Sequence, residues 1–588
     1  MVKGRQTVRL PQRRKAEDAT KADVEPSTQK IDEPLSTANI LKVARQVLPL
    51  LALAAFVSPV SQAMLAPVYG SIPSSINHVE AVTATVLLGF IGRHLWAGWI
   101  GDINIQPYLA LWALWTPAIE AYLFKYSGSW GPVLGPMITG FVSCHLFTLP
   151  SAYAAAQALE SLGLHEQLGS IAGIALPAVV LDLAYFRPLE YAFSYLHSGL
   201  STWSSFITPP KLQYLIACLY ALVSTSKPYW LASLGIPALL HGLLANPHLD
   251  LSFRNTDVLN RDLGARNWTV LDRQWSNTGY ISVIEGSVEE YRALRCDHSL
   301  LGGEWLLTDQ KRKKEGWQVP ESIYAIFHIL EAVRLMEVSP ATRDRDAHAL
   351  VVGLGIGTAP KAMMAHGIDT TIVELDPIVH EYATKYFGLP KQHKAVLQDA
   401  VTWVSGEIAG NTVKYEYIIH DVFTGGAEPL PLFTDSFLGG LRSLLTPNGV
   451  IAINYAGDLR LEVTTRILNT IYQTFGGQCK IFGDAPTNSG EAANEEFLNM
   501  AVFCRNSPGD IAFRKPTRAD WLGSRSREQY LLPREDFEIP FPSVTEGGQR
   551  QILKKGEEGA WRKEQEVSAI RHWRIMRRVI PDIVWELW

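Results

Sequence analysis

Three glycines, Gly353, Gly355 and Gly357, alternate with Leu354 and Ile356 directly after the apolar run Ala349-Leu-Val-Val352. Such spacing suits a ligand cradle, because glycines let a chain turn tightly at a strand end and approach a nucleoside closely. About twenty residues further on, where a ribose-binding acid belongs, the run Thr370-Thr-Ile-Val373 ends in Glu374. A carboxylate there can accept hydrogen bonds from both ribose hydroxyls. Two further acids close apolar runs: Asp399 in Gln398-Asp-Ala400, and Asp421 at the end of Tyr417-Ile-Ile-His-Asp421. Asp421 would stand at the sheet's C-terminal edge, where such folds place their ligand. Glycine turns alone are common. The strand, helix and acid at these distances make the pattern specific.

The elements that must position these groups are legible around them. Strand-like runs alternate with helical stretches, through the helix Leu438–Leu445 and the turn Thr446-Pro-Asn-Gly449 to the strand Val450-Ile-Ala-Ile-Asn454. That order predicts a doubly wound parallel sheet with its ligand outside the strand C-termini. Upstream, the alternating runs Tyr280–Glu285, Arg292–Asp297 and Glu304–Asp309 predict a small antiparallel sheet. Ser322–Leu335 has helical spacing and carries Tyr324.

Taken in order, the small β-region, the Tyr-bearing helix, the Gly-rich strand end, Val373-Glu-Leu-Asp-Pro377, Gln398-Asp-Ala400 and the strand-final Asp421 resemble the spermidine/spermine synthase (polyamine aminopropyltransferase) family. The resemblance spans about 280–460 and implies a Rossmann-like class I fold behind a small N-terminal β-region. It implies decarboxylated S-adenosylmethionine as cosubstrate, no metal, and aminopropyl transfer to a polyamine amine. It would place Gly353, Gly355 and Gly357 around the cosubstrate, Glu374 on the ribose and Asp399 on the adenine amino group. Asp421 would be the catalytic acid, with Tyr324 lining the acceptor site. Two positions depart from the family pattern. Ile356 stands where an acid grips the aminopropyl ammonium, and Thr424 where a second acid follows the catalytic one. Eukaryotic protein methyltransferases on the same fold, which use S-adenosylmethionine, also lack the first acid and share a segment like Asp297-His-Ser299. Methyl transfer to a protein or small-molecule acceptor is therefore the alternative, and a non-catalytic scaffold or a transporter the second.

The rest of the chain reads differently. Of 588 residues, 47% are hydrophobic and only 19% charged, below the ~25% of ordinary soluble domains. The deficit falls between Val47 and Leu249. Seven apolar runs there, at about 47–68, 80–101, 105–124, 131–150, 170–187, 212–226 and 229–246, predict a multi-pass helical membrane domain. Arg93, Glu120 and Asp182 are its internal ionisable groups, and such groups are functional candidates. The expected organisation is a basic and polar tail over 1–42, the membrane domain over 43–249, and a small β-region with a helix over 250–345. The Rossmann-like domain then covers 346–505 and a polar extension 506–588. Cosubstrate supply would put the soluble half in the cytosol. A net charge of -5 argues against nucleic acid as partner. Five scattered cysteines argue against a disulfide framework. Over 561–580, Val567, Ile570, Trp573, Met576 and Ile580 line up among arginines. That stripe suits a membrane surface and packing onto the catalytic domain equally.

Overall fold

The computed structural model describes residues 35–100, 103–169, 171–203, 207–227, 229–251, 253–410, 413–422, 426–484, 498–543 and 548–588. Residues 1–34 of the expected tail, and Thr424, lie outside them.

Up to residue 250 the described chain is helical. It comprises α1 (Thr37–Tyr69), α2 (Ser71–Ser75), α3 (His78–Ile100), α4 (Gln106–Phe124), α5 (Ser127–Gly140), α6 (Leu146–Leu159), α7 (Leu164–Leu168), α8 (Ala172–Leu181), α9 (Arg187–Trp203), α10 (Pro209–Val223) and α11 (Tyr229–Leu244). Ser36 caps α1 by accepting from the Asn39 N–H, so the helix starts ten residues before the apolar run. The bundle packs around α1, whose Val47, Leu50, Ala54 and Val57 are buried. Four of the seven expected spans fall in helical stretches long and apolar enough to cross a membrane by length and composition: Thr37–Tyr69, Ser71–Trp96, Ser127–Leu162 and Ala172–Leu196. Tyr229–Leu244 is apolar but shorter. Two π-helical turns, Phe141–His145 and Asp182–Phe186, interrupt the long stretches.

After α12 (Phe253–Gly264) comes a five-stranded antiparallel sheet in sequence order: β1 (Trp268–Ser276), β2 (Gly279–Gly286), β3 (Tyr291–Cys296), β4 (Ser299–Trp305) and β5 (Glu321–Ser322). The expected third strand, Glu304–Asp309, is displaced: β4 begins five residues earlier, at Ser299, and ends at Trp305. Thr308 then accepts from the Lys311 N–H and starts α13 (Asp309–Lys314). The helix expected over 322–335 is short, α14 (Ile326–Leu330), and tightens into a 3₁₀ turn. Tyr324 therefore precedes the helix rather than lying on it.

The main sheet has eight strands: β6 (His348–Val352), β7 (Asp369–Glu374), β8 (Lys394–Leu397), β9 (Tyr415–His420), β10 (Leu445–Gly457), β11 (Cys479–Gly483), β12 (Leu498–Arg505) and β13 (Glu538–Ile539). Their order is β13-β11-β12-β10-β9-β6-β7-β8. The five from β10 to β8 are parallel, and β12, β11 and β13 extend the sheet antiparallel. The helices are α15 (Thr358–Ala365), α16 (Pro377–Phe387), α17 (Ala400–Gly410), α18 (Asp435–Leu444), α19 (Glu462–Thr474), α20 (Arg518–Trp521) and α21 (Arg525–Tyr530). The turn expected at 446–449 is absorbed into β10 as a register shift between Leu445 and Val450. Cys479 and Cys504 stand opposite each other on β11 and β12 and form a disulfide. Scattered spacing hid that pair, because only the strand register brings the two residues together.

The C-terminal helices α22 (Arg562–Val579) and α23 (Asp582–Leu587) do not present a free apolar stripe. They are wedged between sheet domain and bundle. Trp573 donates to the Val68 carbonyl at 3.1 Å, and Arg577 to Ser127 Oγ at 2.8 Å and His298 Nε2 at 3.1 Å. Trp588 packs with Tyr69 and Phe124 of the bundle and with Trp275 and Tyr280 of the small sheet. Fully buried Arg295 ties this joint, donating to the carbonyls of Asp297, Val584 and Pro67.

Candidate active site

The parallel strands release their chain on one edge of the sheet, and a cavity of about 450 Å³ lies there. Gly353 follows β6, Glu374 ends β7, Asp399 follows β8 and Asp421 follows β9, and all four line the cavity. Gly355 lines it too. Gly353 has φ +86°, and a Cβ on it would collide with the Asp421 carbonyl oxygen. The glycine is thus required by the neighbouring strand end, which brings Asp421 up against the Gly-rich turn. Gly357 does not line the cavity. It is the left-handed residue that starts α15 and faces Leu389. Ile356 is also outside the lining, buried against Gly302 of β4.

Glu374 holds the turn in place. Its Oε2 accepts from the Leu354 N–H at 3.0 Å and its Oε1 from the Asp376 N–H at 2.8 Å. Burial, with Asp376 close by, raises its pKa to about 7. Asp399 spends one oxygen on α17, accepting from the N–H and hydroxyl of Thr402, both at 2.8 Å.

The other end of the cavity is chemically different. Asp421 Oδ1 accepts from Asn454 Nδ2 at 2.7 Å, and burial raises the acid to about 6. Asn454 Oδ1 and the Tyr324 hydroxyl are buried, and among the described residues neither has a hydrogen-bond partner. Sequence reasoning missed Asn454, although it closes the apolar run Val450–Ile453 just as Asp421 closes its own. It also missed the outer wall: His572, Ile575, Met576 and Val579 of α22 line the cavity. No local signal marks them, since they arrive through packing of a segment 150 residues downstream of the sheet edge. Burial depresses His572 to about 4, so it is neutral, and its Nε2 meets Ser299 Oγ at 3.2 Å. Asp297-His-Ser299 is thus the turn that docks α22 and α23. Asp297 accepts from the Tyr280 N–H at 2.9 Å, and His298 stacks on Trp573 and packs tilted against Trp585. Among the described residues no group of three or more His, Cys, Asp or Glu is arranged to hold a metal ion.

A Gly-rich turn and two strand-end acids around one cavity outside the parallel strands are the arrangement of a class I fold that takes a nucleoside cosubstrate. No protein-family model matches the chain. It is 39% identical over 553 residues to the N-terminal histidine N-methyltransferase of Emericella nidulans, covering 92% of this chain and 96% of that one. The polyamine aminopropyltransferase of Vibrio vulnificus is 33% identical over 108 residues, 18% of this chain and 36% of that protein. The human eEF1A lysine and N-terminal methyltransferase is 34% identical over 117 residues, 18% and 17% respectively. Among solved structures, a probable spermidine synthase from Corynebacterium glutamicum matches with TM-score 0.33 and 14% identity, over 48% of this chain and 98% of that one. Human methyltransferase-like protein 13 with SAH matches with TM-score 0.27 and 23% identity, over 36% and 93%. The chain belongs to the family of the Emericella nidulans methyltransferase, and it is an S-adenosylmethionine-dependent transferase.

Proposed function

We propose that this protein is a membrane-embedded methyltransferase that methylates a nitrogen of a histidine at a polypeptide N-terminus. The observation that carries the reading is the 39% identity to an enzyme of that name over 96% of its length, bundle included. The pocket's charge supports it. Aminopropyl transfer brings a propylammonium and a polyamine cation together, which calls for several carboxylates. At the acceptor end this cavity offers Asp421, with the neutral Asn454, Tyr324 and His572 around it. The first acid that the aminopropyltransferase resemblance would require is replaced by Ile356, packed beneath β4.

In this reading Glu374 receives the ribose hydroxyls, Asp399 faces the adenine, and the turn at Gly353 and Gly355 passes under the cosubstrate. The nitrogen lone pair attacks the sulfonium methyl. The C–S bond breaks, sulfur becomes neutral, and the positive charge moves to nitrogen. Asp421, ionised above about pH 6, holds or receives the nitrogen's proton. Asn454 fixes the Asp421 carboxylate and presents its free Oδ1, beside the Tyr324 hydroxyl, to polar groups of the acceptor. The apolar helices embed the bundle in a membrane, with the sheet domain on the cytosolic side.

The test is mass spectrometry of two peptides differing only in their first residue, histidine or alanine, after incubation with the full-length protein in detergent and S-adenosylmethionine. One added methyl on the histidine peptide alone is expected. Equal methylation of both would remove the histidine assignment. Modification of neither, with aminopropyl transfer from the decarboxylated cosubstrate to a polyamine, would replace the reading.

A further inference from the structure

A second cavity lies back to back with the acceptor end of the first. It is an open cleft of about 540 Å³ between the small antiparallel sheet, α13 and α21, and the transfer chemistry does not call on it. The partition between the two is the segment that carries Tyr324. Ser322, Ile323 and Ala325 line the cleft, whereas Tyr324, Ile326 and Phe327 line the first cavity. Ser322 fixes that segment, its Oγ donating to the Tyr324 carbonyl at 3.0 Å and accepting from the Tyr324 N–H at 3.3 Å. Tyr291 completes the partition. Its hydroxyl donates at 3.4 Å to the carbonyl of Val579, a residue of the first cavity, and its ring packs edge-on against Trp305 of the cleft.

The walls of the cleft are aromatic and acidic. The Lys311 ammonium already sits among them, 5.2 Å from the ring centroids of both Trp305 and Trp317 and 3.0 Å from the Glu290 carboxylate. Indole faces and a carboxylate are the groups that stabilise a partly desolvated cation. Lys311 neutralises Glu290, but Glu289 beside it has no basic partner among the described residues. The lining therefore carries one net negative charge. Tyr530 of α21, 37% exposed, offers a further ring to this charge.

We propose that the cleft holds a basic side chain of the acceptor polypeptide, arginine or lysine, from the stretch that follows the methylated residue. The inference rests on the acceptor being a polypeptide N-terminus. A chain that leaves Asp421 past Tyr324 gains about 3.4 Å per residue, so the side chain that reaches the cleft comes from the next few positions. Glu289 pairs with it, and the Tyr530 ring stacks on it. A neutral stretch gains neither contact. Substrate choice thus depends on two places, the reacting nitrogen in one cavity and a positive charge in the other.

Steady-state methylation and fluorescence-anisotropy binding by the full-length protein in detergent test this together. The probes are peptides that begin with histidine and carry a single arginine at one of the following five positions of a neutral sequence. A wholly neutral peptide is the reference. Arginine at one position, or at two adjacent ones, should lower Kd and KM about tenfold, and the gain should shrink as salt rises. Glu289→Gln should abolish the gain, and Tyr530→Ala, at an exposed position, should reduce it. Equal affinity for all the peptides would overturn the cleft, as would a gain that survives both substitutions. Arginine-dependent binding without methylation would leave the cleft standing and remove the histidine reading instead. Methylation with no arginine dependence would do the reverse.

Discussion

The bundle and the sheet domain treat polar groups in opposite ways. In the bundle they are sparse and turned inward on one another: Arg93 pairs with Glu160, Arg187 with Glu190, and Glu120 with Gln213. In the sheet domain they converge on one edge, where Glu374 and Asp421 are held at raised pKa values around a cavity. The first arrangement joins helices; the second holds chemistry. The difference shows where the two regions depend on each other. Helix α22 gives His572, Ile575, Met576 and Val579 to the pocket, while its Trp573 and Arg577 bond to Val68 and Ser127 of the bundle. The bundle therefore helps build the pocket wall.

The comparison breaks most directly at Asp421. Asp421→Asn should lower kcat about 10³-fold while leaving cosubstrate affinity close to wild type, as steady-state kinetics and calorimetry together would show. If both fell equally, Asp421 would belong to binding and not to chemistry. The joint comes next. Trp588→Ala removes a buried ring shared by both regions and should cost about 3 kcal/mol or more, seen as a lowered unfolding midpoint of the full chain in detergent. A midpoint unchanged from wild type would mean that the regions are only tethered.

Much of the site was legible because it is local. Gly353, Gly355 and Glu374 are tied by a strand, a helix and a second strand within about twenty residues, and Asp421 announced itself by closing an apolar run. The pocket's outer wall was not legible, because α22 reaches it only through packing on the bundle. The arginine-flanked stripe around Trp573 reads as a membrane surface as readily as an interior one. Cys479 and Cys504 pair through a register that spacing does not encode. Seven apolar runs were visible, but neither their lengths as helices nor the extension of α1 back to Thr37 was, since capping by Ser36 sets that end.

Smaller effects sharpen the contrast within the pocket. Glu374→Gln keeps the shape but weakens charge-assisted bonds to the ribose, and should raise the cosubstrate Kd by about tenfold to a hundredfold. The pH dependence follows from the raised carboxylates. In the proposed mechanism Glu374 and Asp421 act when ionised, at about 7 and 6, so kcat/KM should fall as pH drops through that window and level off above it. In Glu374→Gln the acid limb should shift toward 6, leaving Asp421 alone to titrate. A limb near 4 in the wild type would contradict burial as the cause of both shifts.

The most direct measurement is calorimetric binding of S-adenosylmethionine and its decarboxylated form, side by side, to the full-length protein. A pocket whose acceptor end holds Asp421 among neutral groups, with Ile356 packed away, should bind the intact cosubstrate more tightly and lose that affinity in Glu374→Gln. Preference for the decarboxylated form would contradict the account and make this an aminopropyl transferase.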